Sequence, residues 1–558
     1  MGRVNKSCCF AFLQFAVILY FSSAIVAGQG LAVNQRTNAG TTFRIAGTVV
    51  SSLTGTPLGK TRVSLTDTAN RKNTAFLITA DDGHFVFTAV PRGKYSVQGA
   101  KIGFLTAAYE QHEEFSTAIV TGTDFNTENL VLRLTPLAFI SGKVIDESGE
   151  LVRKAQVNLY VDNQQGGRRR TVRINTVTTD DQGYYEFSDL FPANYFISVS
   201  AKPWYTVPSF STAGNGFASP PSVPSSLDVA YPTTYNNGAT DSQAATPIAI
   251  QGGDHLQVDL HLSPVPILHL TFRVPQTEEP QGISTPLFER RVFDSPEYVS
   301  VEGVQQISPG VFELAGIPAG KYTARFLDPK GQGQLSSEIS LRQDGQEIDA
   351  TQGEASATVK VTVKMPGNQS PSPQINIMLQ DSHRQVLGFQ AIDPAGEVEL
   401  SNIPAGKYRI LVNSPNGIYS VVRTISAGVE SAGHELNVAA GSSVSVTVVL
   451  GLGLVGVQGF VKRGDKPASG VMVALIPIEQ RSHVEMYRRD QSDSDGSFLL
   501  PAVIPGNYTL IAVEDAWGFQ WQQPDVLNRY LRHGQNLTIG ELMTATVHLP
   551  EAVQVQPR

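Results

Sequence analysis

Cysteine is almost absent from this 558-residue chain, in which it occurs only as Cys8 and Cys9. Both precede an apolar run, from Phe10 to Ala27, that ends in small residues, a pattern typical of a secretory signal. We therefore predict a signal peptide over residues 1–28, with an uncleaved anchor as the alternative, because about 18 apolar residues is the lower end of a membrane span. The cleaved chain would hold no cysteine, which excludes disulfides, zinc thiolates and a cysteine nucleophile.

Charged residues are also scarce, at 16% of the chain against about a quarter in ordinary soluble proteins. After loss of Arg3 and Lys6 with the signal, 40 basic residues would stand against 50 acidic ones, a net charge of −10. Such a chain is a poor partner for nucleic-acid phosphates, and the one basic cluster, Arg168–Arg170 with Arg173, is predicted to be a solvated hairpin tip. We expect no nucleic-acid partner, and no membrane span in the mature chain unless the signal stays uncleaved.

Catalytic signatures are missing as well. The chain has no His-Glu-x-x-His, no Gly-x-Ser-x-Gly and no phosphate-binding loop, and its one His-x-x-Glu spacing, at His548 to Glu551, contains a proline. Asp493 and Asp495 resemble the start of a calcium loop, but the twelfth position of that loop is Ile504 and not a bidentate Glu. We predict a strand-connecting turn there, no metal, no cofactor and no enzyme.

One hexapeptide, Ile-Pro-Ala-Gly-Lys-Tyr, is present at residues 317–322 and again at 403–408. It belongs to a longer pattern of glycine turn, alternating apolar strand, proline turn and tyrosine. The five copies of this pattern end at Tyr95, Tyr195, Tyr322, Tyr408 and Tyr508. Gaps of 100, 127, 86 and 100 residues between these tyrosines indicate domains, because solenoid repeats recur at 20 to 50 residues.

The pattern has a direct physical interpretation. Its turn glycines, which suit positive φ, are Gly83, Gly183, Gly310, Gly396 and Gly496. The proline fixes φ in a turn that reverses the chain. The tyrosine is predicted to point inward from the next strand, with its hydroxyl bonded back to the loop as in the tyrosine corner of β-sandwiches. In the second and fifth copies the proline lies three residues before the tyrosine and not four, which predicts a shorter loop.

Short strands precede and follow each copy, and three of the first strands contain a glycine: "IAGTVV" at 45–50, "ISGKVI" at 140–145 and "VQGFVK" at 457–462. About seven short strands in each stretch of about 100 residues is the profile of a β-sandwich. We predict an all-β tandem array of about five Ig-like or prealbumin-like β-sandwiches. The predicted limits are 43–136, 137–265, 266–352, 353–451 and 452–551, after a linker at 29–42 and before a tail at 552–558.

A glycine-containing first strand, then Asp-x-Gly-x-Phe-x-Phe, then Pro-x-Gly-x-Tyr resembles the carboxypeptidase regulatory-like domain. This is a transthyretin-like sandwich found in arrays in bacterial secreted proteins. The resemblance is good for the copies that end near residues 136, 265 and 551, and partial for the two between, whose first strands are blurred. It implies an Ig-like or prealbumin-like fold, often grouped with carbohydrate-binding-like folds, and a non-catalytic module; such sandwiches serve many functions.

Two segments depart from the plain repeat and are the candidate ligand sites. The first is an insertion at 202–246, which is rich in Pro, Ser and Gly. It is a candidate because long loops in compact domains are usually functional or disordered. Trp204, Tyr205, Tyr231 and Tyr235 in this insertion could present rings to a sugar or a peptide. The alternative is a loop pinned over its own sandwich.

The second segment is "WGFQW" at 517–521. On a strand, Trp517, Phe519 and Trp521 would share one face, where an exposed row would stack on sugars and a buried row would be core. A helix predicted near 524–533, with Pro524 at its start, could cover that row and favours the core alternative.

These observations predict an exported, non-catalytic array that binds carbohydrate or protein, or that serves as a scaffold. The negative charge favours a neutral glycan or an uncharged peptide as partner. The alternatives are a surface adhesin or stalk and an accessory chain of a secreted hydrolase or peptidase. The expected location is the periplasm, the cell surface or the extracellular space.

Overall fold

The computed structural model describes residues 41–558, apart from 124, 166–167, 207–226, 274–286, 300–302, 309–310, 328–333, 350–353, 366–368, 383–384, 416–417, 427–428, 433, 480–483, 521–522 and 541–542. The predicted signal peptide and nearly all of the predicted linker lie outside the described residues. Within them, strands dominate, and the single α-helix is Pro524–Leu531. The all-β class and the tandem array of sandwiches are confirmed.

The first two sandwiches are built from these strands. Unit one contains Phe43–Ser51, Arg62–Asp67, Thr74–Ile78, His84–Val90, Lys94–Ala100, Ala107–Ala108, Ile119–Val120 and Leu130–Leu134. Unit two contains Ala138–Ile145, Gln156–Gln165, Arg168–Thr178, Tyr184–Leu190, Ala193–Ser200, Val229–Ala230, Thr234–Tyr235, Ile248–Ile250, His255–Gln257 and Leu260–His261, and Val265–Pro266 pairs with its Val229–Ala230.

The other three units follow the same plan. Unit three contains Leu268–Arg273, Leu287–Val292, Ser295–Val299, Gly303–Ser308, Val311–Ile317, Gly320–Leu327, Gln334–Leu341, Glu347–Asp349 and Glu354–Ala355. Unit four contains Ala357–Lys364, Asn376–Asp381, Val386–Ala391, Glu397–Ile403, Gly406–Asn413, Tyr419–Ser426, Val429–Ala432, Glu435–Val438 and Ser443–Leu452. Unit five contains Val455–Arg463, Lys466–Pro467, Met472–Pro477, Arg488–Gln491, Ser497–Val503, Gly506–Val513, Gln535–Ile539, Val547–His548 and Val553–Gln556.

Each unit has a buried apolar cluster of its own, drawn from alternating strand residues. We call the first strand of each unit the opening strand and the strand in its last part the closing strand. The opening strand pairs antiparallel with the strand that follows the glycine turn, and it pairs parallel with the closing strand. The glycine turn is confirmed where it is described, since Gly83, Gly183, Gly396 and Gly496 all have φ between 63° and 83°. Gly310 lies outside the described residues.

The predicted tyrosine corner is present in all five units. Each tyrosine is buried, and its hydroxyl donates to the carbonyl oxygen of the fourth residue before it. The bonds are Tyr95 to Pro91 at 3.1 Å, Tyr195 to Phe191 at 2.8 Å, Tyr322 to Pro318 at 2.8 Å, Tyr408 to Pro404 at 2.7 Å and Tyr508 to Ile504 at 2.7 Å. Each corner therefore closes the same turn with the same bond.

The prediction of shorter loops in units two and five is wrong. In every unit the residue six positions before the tyrosine has a left-handed backbone, at a register shift against the opening strand. These residues are Ala89, Asp189, Gly316, Asn402 and Ala502. The loop length is therefore constant, and in units two and five Phe191 and Ile504 take the place of the proline as acceptors for the hydroxyl.

One half-buried carboxylate should make the stability of unit five depend on pH. Burial raises the pKa of Asp490 to about 6, although the backbone N–H groups of Leu499 and Gln491 donate to it at 2.7 and 2.8 Å. A raised folded-state pKa gives stability that is present at low pH and is lost as the pH rises through that value.

We expect the free energy of unfolding of unit five to rise by about 1 kcal/mol between pH 7 and pH 5, and Asp490→Asn to remove this part of the pH dependence. Hydrogen exchange of unit-five peptides at pH 5, 6 and 7 measures it. A difference between wild type and variant that stays constant over this range would contradict the prediction.

Candidate functional site

The candidate site is an aromatic patch on unit two, formed by Trp204, Tyr205 and Tyr231 around Glu147. Trp204 and Tyr205 lie in a turn just after Ala193–Ser200, at the start of the insertion. Thr206, which follows, donates through its hydroxyl to Val229 O at 2.7 Å. This bond ties the start of the insertion to its end, so that residues far apart in the sequence share one surface.

Glu147 organises the patch through both of its carboxylate oxygens. The Tyr205 hydroxyl donates to Oε1, and the Tyr231 hydroxyl donates to Oε2 at 2.7 Å. Burial acts to raise the pKa of Glu147, but the bonds from the two hydroxyls outweigh it, and the pKa lies below its usual value. The carboxylate therefore stays ionised at neutral pH and keeps both hydroxyls oriented towards it.

Trp204 is the exposed member of the patch, with 88% of its surface open to solvent. Its indole meets the ring of Tyr205 edge to face, with the ring centroids 5.8 Å apart at 89°. The indole is thus open to solvent, and the ring it contacts belongs to a side chain bonded to Glu147. An exposed indole can stack on the apolar face of a sugar or on a peptide bond.

The structure gives the other two aromatic residues of the insertion a different role. Tyr231 is 7% exposed and joins the core of unit two, so it supports the patch through its hydroxyl only. Tyr235 is 2% exposed and packs in a cluster with Tyr160 and Val292. The prediction that Tyr231 and Tyr235 present their rings to a ligand is thus wrong. This end of the insertion pairs with strand Ala193–Ser200 and packs on its own sandwich.

The aromatic segment of unit five does not form an exposed row either. Residues Ala516–Gly518 form a single 3-10 turn and not a strand. Trp517 is buried, at 9% exposure, and Phe519 is half-buried against Tyr530 of the helix, with the ring centroids 5.8 Å apart. The predicted helical cover is confirmed, and the exposed-platform alternative for Trp517 is contradicted. Trp521 lies outside the described residues.

Sequence reasoning missed two features of these sites. Glu147 lies in a hairpin turn more than fifty residues before the tyrosines that bind it, and an acidic residue in a turn gives no signal of its own. The contacts of Trp517 come from unit one, where the His112 ring stacks on the indole at 5.1 Å and 7°. No local pattern predicts a partner four hundred residues away.

Other chemistry is not evident in the described part of the chain. No group of three His, Cys, Asp or Glu side chains in it is placed to hold a metal ion, and none of its helices is long and apolar enough to cross a bilayer. The Asp493–Gly496 segment is a turn, as predicted, in which Gly496 N donates to Asp493 O at 2.8 Å.

Models of known families match residues in three of the five units. Residues 44–134 and 140–263 match the carboxypeptidase regulatory-like domain. Units one and two are therefore the parts of the chain that are similar to this family. Residues 453–537, in unit five, match the family described as BOS complex subunit NOMO1-like, second beta sandwich domain. None of the curated proteins that were compared matches the chain.

Several solved structures are similar to the chain at low identity. The Bacillus anthracis TIE protein is 10% identical, with 74% of this chain and 75% of that chain covered and a TM-score of 0.17. A streptococcal ancillary pilin is 16% identical, at 51% and 100% coverage and a TM-score of 0.19. Two B repeat units of the collagen binding protein of Staphylococcus aureus are 13% identical, at 73% and 100% coverage and a TM-score of 0.13. These values are too low to transfer a ligand or an activity.

Proposed function

We propose that the protein is an exported, non-catalytic scaffold of β-sandwiches that binds a neutral glycan or an uncharged peptide segment at the aromatic patch of unit two. The observation that supports this most directly is the 88% exposure of Trp204 beside a tyrosine held by Glu147. A single exposed apolar side chain needs no binding role, but this indole lies against a second aromatic ring, and the two rings together form a patch. Export is supported by the apolar N-terminal run that follows basic residues.

The ligand class follows from the chemistry of the patch. Two aromatic rings favour flat apolar surfaces, and the Glu147 carboxylate that accepts from Tyr205 and Tyr231 would repel an anion. Aromatic contacts of this kind contribute about 0.5 to 1.5 kcal/mol each beyond area burial, so a single patch should bind weakly. A ligand with many repeats, such as a polysaccharide, would gain affinity through avidity when several copies of the protein sit on one surface.

We expect Trp204→Ala to weaken binding about tenfold, which corresponds to about 1.4 kcal/mol, against whichever neutral glycan or peptide scores in an array probed with residues 29–558. Tyr205→Phe should weaken binding less, because the ring stays while the hydroxyl bond to Glu147 is lost. Phe389→Ala is the matched control, since Phe389 of unit four is 59% exposed and lies outside the patch. Unchanged affinity in Trp204→Ala, or equal losses in Trp204→Ala and Phe389→Ala, would contradict the proposal.

A further inference from the structure

Units one and five contact each other although three whole units separate them in the chain. The contact joins Lys94 and residues 107–120 of unit one to residues 488–497 and Trp517 of unit five, and we call this set of residues the clasp. Thr42–Arg558 accordingly form one compact body.

Asp493 of the unit-five turn has a different role from its counterparts in sister units. Asp180 and Asp393 hold the same turn position in units two and four, and each accepts two backbone N–H bonds from its own turn through Oδ1. The Asp493 carboxylate instead accepts from unit one, taking Ala118 N at 3.0 Å and Lys94 Nζ at 2.7 Å. In units two and four this aspartate stabilises its own turn, whereas in unit five it binds a neighbouring domain.

Backbone groups add to this contact. Ser494 N donates to Ala118 O at 3.0 Å, and Val120 N donates to the Ser494 hydroxyl at 2.8 Å. The turn thus bonds to Ala118 and Val120 along strand Ile119–Val120, which pairs on its other side with Lys94–Ala100. Edge strands expose unpaired N–H and C=O groups, and this turn satisfies several of them at once.

A buried glutamine forms the centre of the clasp. Gln491 is 1% exposed, and its amide nitrogen donates to Glu110 O at 2.6 Å and to the Thr117 hydroxyl at 2.8 Å. Its amide oxygen lies 3.0 Å from His112 Nδ1. All of these partners belong to unit one. A buried amide must be hydrogen-bonded, and this one depends on the other domain for its partners.

Charged and aromatic side chains complete the clasp at one end. Arg489 bonds Glu113 at 2.8 Å and lies over the ring of Phe115, with 5.3 Å from the guanidinium carbon to the ring centroid. The Trp517 indole stacks on His112 and contacts Phe115 at 5.5 Å between centroids. The contact thus combines a hydrogen-bonded centre with a desolvated arginine and an indole, the residue types that contribute most to interfaces.

We propose that the clasp closes the array: unit one docks on unit five within the same chain, and the working form of the protein is a closed ring of sandwiches and not an open string. Trp517 of the "WGFQW" segment then serves ring closure. This inference does not rest on the ligand of the aromatic patch, and Trp204→Ala should leave the clasp unchanged.

The chain allows a direct test, because residues 29–558 contain no cysteine. Ala118 and Ser494 are joined by a backbone hydrogen bond, and a disulfide needs Cα atoms about 4.4 to 6.8 Å apart. We expect the pair Ala118→Cys with Ser494→Cys to oxidise within one chain, giving a species that migrates faster on a non-reducing denaturing gel and reverts with dithiothreitol. Adding Gln491→Ala and Asp493→Ala should slow the cross-link at least tenfold.

The matched control is Ala118→Cys with Asp181→Cys, which places the second cysteine at the corresponding turn position of unit two. It should stay reduced under the same conditions. The proposal is overturned if the Ala118 and Ser494 pair stays reduced, if it forms no faster than the control pair, or if its disulfides join separate chains, since that last result would mean that closure occurs between copies.

Discussion

Tyr408→Ala should lower the free energy of unfolding of unit four by about 3 to 5 kcal/mol, the usual cost of truncating a buried aromatic residue. The Tyr408 side chain is 4% exposed within the unit-four core, and burial raises the pKa of its hydroxyl to about 12. The hydroxyl is therefore neutral and donates to Pro404 O at 2.7 Å. Truncation removes the ring from the core and leaves the turn without its bond.

Hydrogen exchange of unit-four peptides in the full chain measures this effect, with unit-two peptides as the internal reference. Tyr408→Phe is the matched control: it keeps the ring and removes one hydrogen bond, so its cost should be about 1 kcal/mol. Exchange protection in unit four that Tyr408→Ala leaves unchanged would show that the tyrosine is not a structural corner. We expect Tyr322→Ala to behave in the same way in unit three.

The corners could be predicted because their physics is local. A glycine turn, a proline and an inward tyrosine all act within about sixteen residues, and the sequence shows each of them. The left-handed residue six positions before the tyrosine could not be predicted, because Ala holds it in two units, although Asp, Asn and Gly, which hold it in the others, adopt positive φ more readily. The surrounding turn and the register shift impose that conformation, and the proline position alone gave a wrong loop length.

The environments of the aromatic residues, unlike the corners, could not be predicted from local sequence. Period and composition identified Tyr235 and Trp517 as unusual, but their environment is set by residues distant in sequence. Tyr235 packs with Val292 of unit three, and Trp517 packs with His112 and Phe115 of unit one. Of the aromatic residues proposed as ligand contacts, Trp204 alone among those described is strongly exposed. Binding at Trp204 and Tyr205 stays a prediction.

The glycine of the opening strand explains why two units resemble the family less. Gly47, Gly142 and Gly459 lie opposite Phe85, Tyr185 and Phe498 on the antiparallel neighbour. In units three and four the same position is held by Phe272 and Val361, opposite Phe312 and Val398. The first strands of those units therefore lack the glycine of the family pattern. In them the opening strand itself supplies a buried side chain at this position.

In unit two this glycine also permits a close approach of the closing strand. A Cβ at position 142 would lie 1.9 Å from Val258 O and 3.1 Å from the Tyr185 ring. The closing strand is interrupted at this point, between His255–Gln257 and Leu260–His261. Val258 O also accepts the Tyr185 hydroxyl at 2.6 Å, so the carbonyl cannot move away without losing that bond.

Gly142→Ala should therefore destabilise unit two by about 3 kcal/mol, the upper part of the range for overpacking, because the obstacle is backbone and cannot change rotamer. Gly456→Ala is the matched control on the opening strand of unit five, where the nearest atom to a new Cβ is the Thr546 hydroxyl at 3.3 Å, and it should cost less than about 1 kcal/mol. Hydrogen exchange of each variant's own unit gives both values. Equal costs would mean that the glycine serves only strand flexibility, and a Gly142→Ala unit as stable as wild type would show that the closing strand of unit two does not approach so closely.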